Sequence, residues 1–165
     1  MKTLSVIFAL LIAPVATPLL GQPSKPRQQV ERADTTEGNY TASSSPDAQV
    51  ITLGDAKPVG IRPGQSRLWG FEIGTLSSSC LAMGQIETIS GGDKNVSVVI
   101  VRQSDYKDWT ENRPVRTEYE SGERTVVAFD VSINDAGHYV LVVSNSSRTA
   151  SKVVQLQHVT VTCVK

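Results

Sequence analysis

From Ala48 onward the chain alternates short apolar runs with turn residues. Nine runs rich in Val, Ile, Thr and aromatics recur at regular spacing: Gln49–Leu53, Lys57–Ile61, Arg67–Ile73, Leu81–Ile89, Val96–Arg102, Val115–Tyr119, Thr125–Val131, His138–Ser144 and Lys152–Cys163. Arg62-Pro63-Gly64, Gly91-Gly92-Asp93, Ser121-Gly122 and Asn134-Asp135-Ala136-Gly137 fall between them, with residues that favour turns. In Arg67–Ile73, Trp69, Phe71 and Ile73 share one face and Leu68, Gly70 and Glu72 the other, which is the two-residue period of a strand. Val96, Val98 and Ile100 oppose Ser97, Val99 and Val101, so that strand is expected to be buried on both sides. One stretch, Ser104–Asn112, reads as one or two helical turns with Ser104 as its cap. Eight or nine short strands with this spacing predict an all-β, antiparallel β-sandwich.

The first residues follow a different pattern. Lys2 supplies a positive start, and Leu4–Ala13 is an uninterrupted apolar run of signal-peptide length. Residues 1–21 are therefore expected to be a signal peptide, cut after Gly21 or after Ala16. The run is shorter than the ~20 residues a membrane-spanning helix needs, so no span is expected once it is removed. Residues 22–47 are dominated by Pro, Gln, Ser, Thr and charge, and predict a flexible spacer that buries too little to order itself. Residues 48–165 form the predicted domain, and the whole is expected to be exported, to a periplasmic or extracellular location.

Charge then narrows the partners. Lys plus Arg is 16 and Asp plus Glu is 16, a formal net charge of zero. A nucleic-acid binder would carry a basic excess, so none is expected. No cluster of Cys and His has metal-ligand spacing, and Asp93, Asp105 and Asp108 lack the regular carboxylate spacing of a calcium loop, so neither metal nor cofactor is predicted. Nucleophile elbows, zinc-protease motifs and phosphate loops are absent from the sequence. A non-enzyme is the expectation. A small hydrolase using Cys80 or an unrecognised carboxylate is the weaker rival.

Cys80 and Cys163 are the only cysteines. In an exported chain they predict one structural disulfide, which in the chain-entropy model contributes at most ~4–5 kcal/mol. Tyr106 and Trp109, with Lys107 and Asp108 between them, form the most distinctive aromatic cluster. They are either a ligand or partner contact or a plug at one end of the sandwich. Tyr139 is expected to pack beneath a corner with its hydroxyl on backbone. Asn39, Asn95 and Asn145 each begin an Asn-x-Ser/Thr sequon, a glycan acceptor if the host is eukaryotic.

Taken in order, Phe71, Cys80, Gly84, the turn Gly91-Gly92-Asp93-Lys94-Asn95 leading into VSVVIV, Tyr106, Trp109, Tyr119-Glu120-Ser121-Gly122, Phe129-Asp130-Val131 and GHYVLVVSNSS resemble the GOLD-type β-sandwich. That domain is known as the lumenal part of secretory-pathway cargo receptors, with related forms in exported bacterial proteins. The resemblance covers roughly residues 57–163 and implies a sandwich with a non-enzymatic binding role. Leu141-Val142-Val143 stands where the cargo receptors carry a cysteine. Asp135-Ala136-Gly137-His138-Tyr139 is also similar to the tyrosine corner of immunoglobulin domains, which keeps an immunoglobulin-like sandwich as the alternative. The function these readings imply is an exported protein-interaction or binding module, whose partner is another exported protein or a glycan. A structural envelope or matrix protein is the second reading.

Overall fold

A computed structural model of the chain describes residues 41–45, 48–54, 57–77 and 79–164. The expected signal peptide, Asn39 and most of the expected spacer lie outside the described residues. All nine expected strands form. They are β2 (Ala48–Thr52), β3 (Val59–Ile61), β4 (Ser66–Ile73), β5 (Ser79–Ser90), β6 (Val96–Arg102), β7 (Thr117–Arg124), β8 (Val126–Ile133), β9 (Gly137–Ser144) and β10 (Lys152–Val164). A tenth, β1 (Thr41–Ser45), lies in the stretch whose composition predicts a spacer. It pairs with β2 from Thr41↔Thr52 to Ser45↔Ala48. Ladder bonds join backbone groups and need no apolar side chain, so polarity alone does not exclude a strand.

Two antiparallel sheets form a β-sandwich. The first runs β1-β2-β10-β5-β8, with β3 also paired to β10; the second runs β4-β9-β6-β7. β2 and β3 occupy successive stretches of one edge of β10. With β2 and β3 counted as one position and the edge strand β1 set aside, they give two four-strand layers in which every connection crosses between sheets except the β6–β7 hairpin. This is jelly-roll connectivity. It corrects the immunoglobulin-like alternative, whose sheets are ordered differently and joined by a disulfide that ties one sheet to the other. Here the disulfide joins neighbours within one sheet.

That bridge, Cys80–Cys163, has an S–S distance of 2.02 Å and closes a sequence separation of 83 residues. Cys80 and Cys163 are register partners on β5 and β10, side by side rather than across the core. The tyrosine corner is also present. The Tyr139 hydroxyl donates to the Asp135 carbonyl at 2.8 Å, and the ring stacks on Phe71 at 5.6 Å. Burial pushes the Tyr139 phenol above its ordinary pKa.

Alternation places the core between the sheets. Phe71, Ile86, Val98, Phe129, Leu141 and Leu156 meet there, all buried. Gly84 permits this packing at one point. Its φ is +154°, and a Cβ would sit 2.7 Å from the Val159 Cα. Opposite it, His158 and Val159 form a bulge in β10, with His158 at φ 51°.

Two local expectations need correction. Ser121-Gly122 is not a turn between strands; it lies inside β7, where the register against β6 shifts between Ser97 and Val99. Gly122 takes φ 64°, and the Ser121 hydroxyl accepts the Val98 backbone N–H at 2.9 Å. The bulge removes a ladder acceptor and the hydroxyl replaces it. Ser104 does not cap the helix. A 3-10 turn (Gln103–Asp105) precedes α1 (Tyr106–Thr110), and the Ser104 hydroxyl donates to the Asp105 carboxylate at 2.7 Å. In a cap the hydroxyl oxygen would accept a backbone N–H; here the hydroxyl is turned to donate to a charged acceptor instead.

Candidate functional site

The outer faces of the two sheets have opposite chemistry. On the four-stranded sheet, the central strands β6 and β9 are apolar on both sides. Val99, Val101, Val140 and Val142 point away from the main core, and they are nevertheless buried. The chain itself covers them. The connection from β6 turns into α1, and Trp109 packs down on these valines with Tyr106 and Leu68 beside it. Trp109 is 6% exposed, and its ring lies 6.1 Å from that of Tyr106.

The two aromatics therefore act as a cover for a sheet face, not as a plug at the sandwich end or a free platform. The physical reason is the stripe of valines beneath: the cover takes apolar surface of both the valines and the aromatics out of water. The Tyr106 hydroxyl is buried without a hydrogen-bond partner among the described residues, and burial raises its pKa. Beside the cover lies a shallow cleft of about 340 Å³. It is lined by Trp109 with Asn112, Arg113, Pro114, Val115, Thr117 and Glu120. Arg113 is already engaged by Asp108 at 2.9 Å and by Glu111, which pins the turn after α1.

The outer face of the six-stranded sheet has no such cover among the described residues. Along β5 the outward positions are Leu81, Met83, Gln85 and Glu87; along β10 they include Gln155, Gln157, Thr160 and Thr162. Register aligns Gln85 with Gln157 and Glu87 with Gln155. The Gln157 amide bridges this band. It donates to the Glu87 carboxylate at 3.0 Å and accepts from the Gln85 amide at 3.4 Å. Outward residues of β8 add Val126, Ala128, Asp130 and Ser132. Four of the five large apolar side chains that stay exposed among the described residues lie on this sheet: Met83, Ile89, Val126 and Val164. Its strands contain no Arg, and their one Lys, Lys152, is fully buried.

Lys152 belongs to a polar network at one end of the sandwich. Its ammonium pairs with the Asp93 carboxylate at 2.7 Å and also donates to the Asn95 carbonyl. The Asp93 carboxyl is held below its ordinary pKa, chiefly by the hydrogen bond from Lys152 and then by the Asn95 N–H. Gly91, at φ +101°, lets the turn lie against Ser151.

The sequon asparagines are part of the same end. Asn145 is fully buried, and its amide donates to the carbonyls of Ile61, Arg62 and Ala150. This corrects its reading as a glycan acceptor, because the nitrogen that would carry the sugar is enclosed and already bonded. Asn95 is half-buried, and its side-chain oxygen accepts from the Thr125 hydroxyl at 3.1 Å. Sequence reasoning passed over the outward Gln and Thr of β5 and β10. The signal for them was the period-two alternation of polar side chains with buried valines.

Among the described residues no three His, Cys, Asp or Glu side chains stand together as a metal site. No helix there is long and apolar enough to cross a membrane. No family model matches the chain, and no curated protein does. Six solved chains match. One is described as "CBM4 structure and function", with a TM-score of 0.41, 11% identity, and coverage of 87% of this chain and 92% of that one. At that distance the match carries no information about a ligand. The class defined by the strands and their connections is a disulfide-bonded jelly-roll β-sandwich.

Proposed function

We propose that this chain is an exported, non-enzymatic binding module whose working surface is the outer face of the six-stranded sheet. One observation carries the reading. A helix and a tryptophan cover one sheet, while the other keeps four exposed apolar side chains, Met83, Ile89, Val126 and Val164, and no exposed Lys or Arg among its described strands. Its outward charges are two carboxylates, Glu87 and Asp130, and the absence of Lys beside partly exposed aliphatics and Met supports an interface. Export is supported by the Cys80–Cys163 bridge, since disulfides persist in oxidising compartments. The GOLD-type resemblance of residues 57–163 supports the same non-enzymatic role.

The test is site-specific photo-crosslinking in the native exported fraction. A crosslinker replaces Gln157 on the bare face in one protein and Lys107 on α1 in another. Adducts from position 157 and none from position 107 are expected. Equal labelling, or none at position 157, overturns the choice of face.

A further inference from the structure

Resting on that reading of the face, we infer that its occupant in the isolated protein is a segment of the same chain, residues 25–32, folded back over the six-stranded sheet from the edge strand β1. Two observations carry this: the sign of the face, and the point where the chain enters the sheet. The outward charges are the carboxylates of Glu87 and Asp130, and the described strands offer no exposed Lys or Arg beside them. Glu87 accepts one hydrogen bond, from Gln157, and a carboxylate has room for several. Asp130 is exposed, and no cation pairs with it among the described residues. Register sets Asp130 opposite the exposed Met83, and Glu87 opposite the exposed Val126. A face of this kind fits a segment that is cationic and partly apolar.

The sequence just before β1 has that chemistry. Lys25, Arg27 and Arg32 stand against a single acid, Glu31, and Gln28, Gln29 and Val30 lie between the two arginines. Their amides and aliphatic side chain match Gln85, Gln157 and Val126 on the face, since an amide both donates and accepts. Asp34 and Glu37 come nearer β1, where the sheet presents the hydroxyls of Thr52 and Thr160 as donors. The reach is sufficient. Thr41, Thr52, Thr160, Met83 and Asp130 form one row across the sheet. Four strand spacings of ~4.8 Å put Asp130 ~19 Å from the entry at Thr41, and Glu87 stands at about the same distance on the diagonal. Arg32 precedes Thr41 by nine residues, up to ~30 Å of extended chain. Asp130 and Glu87 are ~14 Å apart by the same spacings, and the five residues from Arg27 to Arg32 span up to ~16 Å. Exposed ion pairs are weak singly, but a tethered segment meets the face at a millimolar effective concentration.

The test places the photo-crosslinker at position 157 in the purified exported protein, dilute and oxidised, and maps the adducts by mass spectrometry. Crosslinks to residues 22–40 of the same chain are expected, with an isotope-labelled copy mixed in to tell them from links between copies. The crosslinker at position 107 should give none. Arg27→Glu with Arg32→Glu is expected to cut the yield about fivefold or more, as is salt at about 1 M, where the screening length falls to ~3 Å. Adding Glu87→Lys and Asp130→Lys to that double variant should restore the yield. Wild-type-like melting is expected of each variant, because the face positions point outward, and it keeps the yields comparable. Absence of the intramolecular crosslink, links only between copies, or a yield that charge reversal and salt both leave unchanged overturns the segment as occupant. If position 157 captures a foreign chain in the exported fraction but never residues 22–40, the segment is excluded and the binding face stands. If it captures residues 22–40 and no foreign chain, the segment is upheld and the reading of the face as a partner site falls.

Discussion

The two sheets of this sandwich solve the same problem in opposite ways. Each buries one face against the other sheet. On the four-stranded sheet the second face is also apolar, and the chain folds Trp109 and Tyr106 of α1 over it. On the six-stranded sheet the second face is built of amides, hydroxyls and scattered aliphatics, and no described element covers it. A sheet face needs a cover only as far as its side chains prefer to leave water. The contrast therefore separates aromatics that serve stability from a face that no described element covers. It also reverses the first impression of the sequence, in which Tyr106 and Trp109 are the most conspicuous binding residues.

The comparison can be broken most directly at Trp109. Trp109→Ala removes the cover, and a loss of about 3–5 kcal/mol is expected in denaturant unfolding. Gln157→Ala on the bare face should stay within about 0.5 kcal/mol. Equal losses would show that the six-stranded face is as structural as the covered one. Next in size is the bridge between β5 and β10. Reduction, or Cys80→Ala with Cys163→Ala, should cost about 2–4 kcal/mol, read as a clear fall in Tm. An unchanged melt would mean that pairing along these two long strands suffices alone. A smaller effect is expected at the corner. Tyr139→Phe deletes the hydrogen bond to the Asp135 carbonyl and should cost about 0.5–1.5 kcal/mol, with the ring stack on Phe71 kept.

Acid sharpens the comparison most gently. The folded Asp93 carboxyl sits below its unfolded value of about 3.9. Its contribution to stability is therefore complete above that value and is lost as pH falls through the lower folded pKa. Melting temperatures from pH 6 downward should show wild type declining in acid more steeply than Asp93→Asn. Parallel declines would remove the Lys152–Asp93 pair from the account.

Much of the architecture was legible in the residues. All nine strand positions followed from period-two alternation and the turn residues between them. The exceptions have local causes. Ser121-Gly122 has the composition of a turn, and a β-bulge wants the same left-handed glycine and the same hydroxyl. Thr41–Ser45 has no apolar signal because its place in the sheet comes from backbone pairing with β2. Asn145 matched a sequon, and only the converging carbonyls of Ile61, Arg62 and Ala150 turned it into a buried hub.

What the sequence determined alone is what depends on neighbours a few residues apart: alternation, turn chemistry, and two cysteines with no partner but each other. The doubly apolar run Val96–Val101 marked a strand buried on both sides. Tertiary structure decided everything that depends on which strands become neighbours. It chose the jelly-roll order over the immunoglobulin one and set Cys80 beside Cys163 within one sheet. It also laid Trp109 over valines from two strands and gathered Gln85, Gln157 and Glu87 into a single band. Residues about 70 positions apart carry no mark of their adjacency in a one-dimensional pattern; strand pairing creates it.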